Sequence, residues 1–109
     1  KKFGFTDITT AGFVKYTINS FLAMKVVFFN ELFHLFNKHP GSSFDTLTEL
    51  VSMDPRIGNS HLQVPGPDGQ YGFGGACFPK DTKAFAEFAK DDSPLALLDY
   101  AIELNSRYR

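Results

Sequence analysis

The sequence predicts an all-α domain, because its apolar residues recur at helical spacing and no segment alternates cleanly between apolar and polar residues. A long periodic segment covers residues 6–38, and shorter ones cover residues 43–53, residues 80–90 and the chain after residue 93. Residues 54–75 are rich in glycine and proline, which predicts an ordered loop long enough to be functional. The expected architecture is one long N-terminal helix packed with three or four shorter helices and a long glycine-rich loop.

The first segment carries start and stop signals for a helix. Asp7 or Thr9 can cap its beginning, and residues 39–41, His-Pro-Gly, end it. Its apolar stripe comprises Phe13, Thr17, Phe21, Met24, Phe28, Leu32 and Leu35. Further apolar residues extend this stripe almost around the helix, and a helix that is apolar on most faces needs cover on most faces. We therefore expect a second subunit or a further domain to pack against it.

Serines mark the start of two shorter helices. Ser42 or Ser43 caps the second helix, and Ser93-Pro94 opens the last one with a cap and a first-turn proline. The apolar faces consist of Phe44, Leu47, Leu50 and Val51 in the second helix, Ala84, Phe85 and Phe88 in the third, and Leu95, Leu98, Ile102 and Leu104 in the last. Each of these helices therefore has one face for packing.

Composition excludes several classes of protein. The chain has 109 residues, of which 13 are Phe, and its net charge is −1 with no long basic block, which gives no electrostatic reason to bind nucleic acid. One cysteine excludes an intrachain disulfide and favours a reducing, cytoplasmic compartment. No signal peptide is recognisable, and the apolar run at residues 21–29 is too short to span a membrane, which takes about 20 apolar residues.

The single cysteine lies in the most distinctive segment, residues 72–81, which reads GFGGACFPKD. Glycines let a backbone approach a ligand closely because they carry no Cβ. If the helix starts at Phe78 or Pro79, the helix N-terminus and nearby Lys80 favour the nucleophilic thiolate of Cys77. The alternative is a buried structural cysteine, the common fate of a free thiol. Spacing alone leaves both interpretations open.

Other sequence features are less specific. The glycines match neither a dinucleotide-binding fingerprint nor a phosphate loop. One cysteine and three scattered histidines make a poor zinc site, so we expect no metal. The histidines are His34, His39 and His61, and we expect the first two at the surface.

Two basic residues also have competing interpretations. Lys15 and Asn19 lie four residues apart on one helical face, where they form either a solvated pair or an oxygen-binding pair. Arg56 follows Asp54-Pro55 in a turn, and it is either a surface residue or a clamp for a phosphate or carboxylate.

Three blocks together resemble a known family. They are residues 13–23, FVKYTINSFLA; residues 54–58, DPRIG; and residues 72–81. Their order and content resemble the central, dimerising domain of the nucleotide-sugar (UDP-glucose and GDP-mannose) dehydrogenases. The blocks extend over nearly the whole chain, and residues 105–109, NSRYR, resemble the family's exit from this domain. The resemblance implies an all-α dimerisation domain with a glycine-rich active-site loop.

The resemblance also implies a reaction and a set of catalytic residues. Enzymes of this family oxidise the primary alcohol of a sugar to a carboxylate with two NAD⁺ in succession. Cys77 then corresponds to the nucleophile, which captures the aldehyde as a thiohemiacetal and carries a thioester to hydrolysis. Lys15 corresponds to the lysine that steadies the oxyanion, and Asn19 to the asparagine that helps to hold that oxygen and the water. Asp81 corresponds to the aspartate that orders water and assists proton transfer.

Binding residues follow in the same way. Lys15 and Asn19 are also implied to contact the substrate, and Arg56 to reach a substrate held mainly by the neighbouring subunit. The strip that lines the sugar nucleotide is formed by Gly72, Phe73 and Gly74. The positions beside the nicotinamide are Cys77, Phe78, Pro79 and Lys80.

The expected organisation is one central domain over residues 1–109, without the N-terminal Rossmann domain or the C-terminal nucleotide-binding domain. We expect such a chain to be inactive alone, to form a homodimer through the long N-terminal helix, and to belong to an enzyme that prefers UDP-glucose to GDP-mannose. The alternative is a non-catalytic helical interaction module. A redox thiol switch is disfavoured because the sequence contains no second, resolving cysteine.

Overall fold

The computed structural model describes residues 9–39, 41 and 43–109. The described residues form four helices and no strand: α1 (Thr10–Phe36), α2 (Phe44–Ser52), α3 (Cys77–Ala89) and α4 (Ala96–Ser106). Helix α1 packs against α3 and α4, and these two helices also pack against each other. The predicted all-α class, the long first helix and the long loop between α2 and α3 are therefore confirmed.

Two of the predicted caps are present. The Thr9 side chain accepts a hydrogen bond from the backbone N–H of Gly12 at 3.2 Å, and Ser43 accepts one from Thr46 at 3.1 Å. Each bond satisfies a backbone donor that lacks an acceptor within the helix. The alternative caps Asp7 and Ser42 lie outside the described residues.

Two predicted helix starts were wrong. Helix α3 begins at Cys77 rather than residue 80, since Pro79 falls in the first turn, where its missing N–H costs nothing. Helix α4 begins at Ala96 with Leu95 as its cap, not at Ser93-Pro94. The backbone N–H of Ser93 instead bonds the Ala89 carbonyl at 2.9 Å, so this serine closes the turn that ends α3.

The buried face of α1 differs from its most apolar stripe. Residues Ser20, Ala23, Val27, Phe29 and Asn30 are buried, and three of these side chains are small or polar. The stripe predicted from the sequence instead includes exposed side chains, namely Phe13, Phe21, Phe28 and Leu35. Small residues let neighbouring elements approach α1 closely, so the strongest apolar periodicity does not mark the intrachain packing face. None of the described helices, α1 included, is apolar over enough of its length to cross a membrane.

Two apolar clusters hold the chain together. One joins the C-terminal half of α1 to α2 and the loop through Phe29, Phe44, Leu62 and Val64. The other joins the middle of α1 to residues 72–74, Gly-Phe-Gly, called the glycine strip below. It consists of Ala23, Val27 and Phe73, with Phe78 and Leu104 packed against them. The second cluster brings the start of α3 beside α1, which positions the candidate site.

Helix α2 offers a matched test of this packing. Phe44 is 7% exposed in the first cluster, whereas Leu50, which the sequence placed on the same apolar face, is 61% exposed. We expect Phe44→Ala to lower the free energy of unfolding by about 3–5 kcal/mol because it leaves a cavity. Leu50→Ala should change it by less than about 0.5 kcal/mol. Urea denaturation followed by circular dichroism measures both, and equal effects would contradict the packing described above.

Candidate active site

A buried carboxylate connects α1 and α3. The Asp81 side chain is 2% exposed, and its Oδ2 lies 3.9 Å from the Lys15 ammonium. The Asn19 amide donates a hydrogen bond to the same oxygen at 2.7 Å. Lys15 and Asn19 therefore share the helical face that the sequence predicted, and that face points at α3.

The two contacts to Asp81 differ in strength. A hydrogen bond to an ionised, buried carboxylate is among the stronger ones in proteins, so Asn19 fixes Asp81. The Lys15 side chain is 58% exposed, and ion pairs of exposed lysines contribute little to stability. An ammonium group has three donors, so one pairing with Asp81 leaves others available to a substrate oxygen.

The Cys77 side chain is exposed. It is the first residue of α3 and lies one helical turn before Asp81, so the thiol and the carboxylate share a helix face. The sequence alternative of a buried structural cysteine is therefore wrong. An accessible thiol one helical turn from a carboxylate that contacts an ammonium and an amide can act as a nucleophile at an electrophilic carbon.

A cleft of about 380 Å³ runs along the glycine strip. Its walls include Gly72, Phe73, Gly74, Gly75, Phe78 and Val26. Cys77 itself does not line the cleft. Gly75, two residues before it, and Phe78, the residue after it, both do. The first turn of α3, to which Phe78 belongs, therefore borders the cleft. Of the four residues predicted beside a nicotinamide, Phe78 alone lines it, whereas Pro79 and Lys80 do not.

Two buried asparagines that sequence reasoning missed hold the glycine strip in place. The Asn30 Oδ1 of α1 accepts a hydrogen bond from the backbone N–H of Gly72 at 2.9 Å. Asn105 of α4 accepts one from the N–H of Phe73 at 2.7 Å and donates one to the Phe73 carbonyl at 3.0 Å. The signal available in the sequence was an asparagine inside an apolar helix, where it is an unfavourable helix former.

Arg109 also holds the glycine strip, and the sequence analysis did not identify this role. Its Nε donates a hydrogen bond to the Tyr71 carbonyl at 2.8 Å, and its Nη2 donates one to the Gly72 carbonyl at 3.1 Å. The Nη1 atom lies 2.8 Å from Asp68 Oδ2. The backbone N–H of Gln70 and then the Arg109 guanidinium hold the pKa of Asp68 below its usual value. The Arg109 guanidinium thus connects the segment after α4 to residues 68–72 of the loop before Cys77.

His34 was wrongly predicted to be a surface residue. Its ring is half-buried and lies 5.0 Å from the Tyr71 ring and 5.9 Å from the Tyr108 ring. Burial, followed by the charge of Glu31, raises the pKa of Tyr108. These three rings pack together just before the glycine strip, since Tyr71 directly precedes Gly72. His39 is exposed, as predicted.

His61 lies in the wall of the cleft. Its backbone has a φ of +64°, a left-handed conformation that residues other than glycine rarely adopt. Its ring lies 5.6 Å from the Phe78 ring. Partial burial first, and the charge of Lys25 second, lower the pKa of His61 from its usual value.

Arg56 lies apart from this cleft. It forms a two-point ion pair with Asp54, with Nε 3.0 Å from Oδ1 and Nη2 2.7 Å from Oδ2, and its side chain is 88% exposed. The guanidinium lowers the pKa of Asp54. Arg56 instead borders an apolar groove of about 570 Å³ between α1 and α4. Within one chain it does not join Lys15, Asn19 and Asp81.

In the described part of the chain no three His, Cys, Asp or Glu side chains are grouped to hold a metal ion.

Comparison with known proteins shows the family to which the chain belongs. Residues 9–107 match the central domain of the UDP-glucose/GDP-mannose dehydrogenase family. The chain is 39% identical to a UDP-glucose 6-dehydrogenase of Rhizobium meliloti (strain 1021) over 93% of its own length and 22% of the relative. It is 35% identical to UDP-glucose 6-dehydrogenase TuaD of Bacillus subtilis (strain 168) over 95% and 22%. It is 47% identical to a UDP-glucose 6-dehydrogenase of Rickettsia conorii (strain ATCC VR-613 / Malish 7) over 76% and 18%.

The chain therefore belongs to the UDP-glucose/GDP-mannose dehydrogenase family and corresponds to its central domain. It spans about a fifth of the length of the curated relatives that it matches. The resemblance seen in the three sequence blocks is confirmed.

Two glycines with the same backbone conformation allow a matched test of the strip. Gly72 (φ +76°) and Gly69 (φ +78°) are both left-handed, but a Cβ at Gly72 would collide with Asn105 Oδ1, whereas a Cβ at Gly69 would meet nothing within 4 Å. We expect Gly69→Ala to lower the free energy of unfolding by about 1–2 kcal/mol through backbone strain alone. Gly72→Ala should lower it by a further ~1–3 kcal/mol, because it also displaces the asparagine amide. Thermal denaturation measures both, and indistinguishable variants would show that the strip tolerates a side chain at residue 72.

Proposed function

We propose that this chain provides the catalytic cysteine and the dimerisation surface of a nucleotide-sugar dehydrogenase that oxidises the C6 hydroxyl of UDP-glucose to a carboxylate with two NAD⁺. The observation that carries the proposal is the exposed Cys77, one turn from a buried Asp81 that contacts both Lys15 and Asn19. The names of the relatives support UDP-glucose as the substrate. We propose that the cleft beside the glycine strip is the binding site of the sugar.

The residues of the site suit the second half of such an oxidation. The Cys77 thiolate would attack the aldehyde carbon of the half-oxidised sugar, forming a C–S bond while the carbonyl oxygen takes the electron pair. Lys15 and Asn19 would donate hydrogen bonds to that oxygen, an electrostatic stabilisation of the developing charge. Removal of a hydride then gives a thioester, which a water molecule hydrolyses to the carboxylate with return of the thiol. Asp81 would order this water and take its proton.

The residues described here fit part of the cofactor. Phe78 presents an aromatic ring in the wall of the cleft, against which a flat nicotinamide can pack. The sequence contains no dinucleotide fingerprint, so we propose that the rest of the dinucleotide binds to a different domain of the enzyme. NAD⁺, when bound, would accept the hydride in each oxidation.

The reactivity of the thiol tests the catalytic proposal. We expect iodoacetamide to alkylate Cys77 of the folded chain at pH 7 at least threefold faster than in the urea-unfolded chain, because the exposed thiol lies in the first turn of α3, where the helix dipole stabilises negative charge. Lys15→Ala should reduce this acceleration, whereas Lys38→Ala, at an exposed position beyond the end of α1, should not. UDP-glucose should slow the alkylation by occupying the cleft.

The chain alone should not reduce NAD⁺ with UDP-glucose. Equal folded and unfolded rates, unchanged by Lys15→Ala, would exclude a catalytic thiol.

We further propose that α1 and α4 form the interface of a homodimer. The apolar groove between them includes the exposed Phe21, Phe28, Leu97 and Tyr100, and contiguous apolar surface of this kind marks interaction sites. A two-fold interface buries the same patch on both copies, which would cover the stripe that α1 leaves exposed. Arg56, on the border of the groove, would then lie close to the second copy rather than to its own cleft.

Sedimentation equilibrium tests this interface. The natural chain should sediment as a dimer at micromolar concentration, and Phe28→Glu should shift it to monomer by placing a charge in the apolar patch. The control Thr46→Glu, at an exposed position on α2, should remain dimeric. A monomeric natural chain would contradict the interface. A dimer whose Cys77 reacts no faster than an unfolded thiol would favour the alternative, a non-catalytic interaction module.

A further inference from the structure

The backbone of two adjacent residues in the cleft wall, Gly72 and Phe73, is hydrogen-bonded at each of its polar groups. Gly72 and Phe73 are buried. Asn105 is bonded to both the N–H and the carbonyl of Phe73, and Asn30 accepts the N–H of Gly72. Arg109 donates to the carbonyl of Gly72. All four polar groups of this dipeptide are thus taken by side chains of the protein.

The two asparagines are themselves fixed. Asn30 is 1% exposed and Asn105 is 9% exposed, and the Asn30 amide also donates to the Val26 carbonyl, one turn earlier in α1, at 2.8 Å. An amide group is planar and rigid. The two hydrogen bonds between the Asn105 amide and the Phe73 backbone, one accepted and one donated, therefore define both the distance of Phe73 from α4 and its orientation. Loss of either amide leaves buried backbone groups without partners, which is costly.

This fixed dipeptide lies beside the reactive segment. The Phe73 ring packs against Ala23 and Val27 of α1 and lies 6.2 Å from the Phe78 ring. Phe78 directly follows Cys77. A displacement of Phe73 would therefore shift the first turn of α3, which carries the thiol.

We propose that Asn105 and Asn30 are positioning residues of the cleft: these two buried amides fix the backbone of Gly72 and Phe73 and thereby set the wall that leads to Cys77. The proposal deepens the proposed function, on which its catalytic meaning rests. Neither asparagine touches substrate in this scheme, since each acts through the strip. The geometric part of the proposal is independent of the chemistry at the thiol.

Asn105→Leu tests the proposal, because leucine has a similar size and no hydrogen-bonding groups. Hydrogen exchange read by NMR should show the Phe73 amide exchanging at least tenfold faster relative to the Val27 amide of the core. The alkylation rate of Cys77, corrected for the folded fraction, should change at least threefold. The matched control is Leu98→Ala, which removes a side chain that is 2% exposed on the same helix. It should speed exchange at Phe73 and Val27 alike and leave the corrected alkylation rate unchanged.

A second variant covers the case in which Asn105→Leu does not fold. Asn30→Ala removes the acceptor of the Gly72 amide, and exchange of that amide should rise at least tenfold relative to Val27. The proposal is overturned if both strip amides change only in step with Val27, or if Leu98→Ala alters the corrected alkylation rate as much as the asparagine variants do. Failure of the proposed function would look different: the natural chain itself would then show no accelerated alkylation and no protection by UDP-glucose.

Discussion

The candidate site depends on one constraint, which is that a buried segment of backbone outside any helix must find hydrogen-bond partners. Residues 72 and 73 pass through the interior between two helices, where an unpaired N–H or carbonyl costs about as much as a lost hydrogen bond. Asn30 of α1, Asn105 of α4 and Arg109, which follows α4, provide those partners. The glycine strip is therefore fixed by polar side chains.

The same arrangement explains why the buried face of α1 is poor in large apolar residues. Asn30 has to face the strip, and Ser20 and Ala23 have to be small where other elements approach the helix. The bulky residues of α1, such as Phe21 and Phe28, are left on the outside. The helix thus has two packing faces of different kinds, one that is completed within the chain and one that a second copy is proposed to complete.

The chemical groups of the site are divided between rigid elements. Lys15 and Asn19 project from the N-terminal half of a 27-residue helix, and Cys77 and Asp81 from the first two turns of α3. The contact of Asp81 with both α1 residues fixes the relative position of the two helices at the site. Such preorganisation on helices holds the functional groups more accurately than loops would. The cleft wall is the one part built on a loop, which is why it needs the asparagines.

The sequence by itself determined the helical class, narrowed each of the first two helix caps to two candidates that include Thr9 and Ser43, and placed Lys15 and Asn19 on one helical face, because these depend on local spacing and local hydrogen bonds. The blocks around Lys15, Arg56 and Cys77 also sufficed to indicate the family. The tertiary structure alone decided which face of α1 is buried, that His34 joins an aromatic cluster, and that Asn30 and Asn105 meet a strip 42 and 32 residues away along the chain. Periodicity reports how apolar a face is, but not whether its own chain or another surface covers it. A polar side chain likewise reveals its role only when the fold brings a distant backbone group within hydrogen-bonding distance.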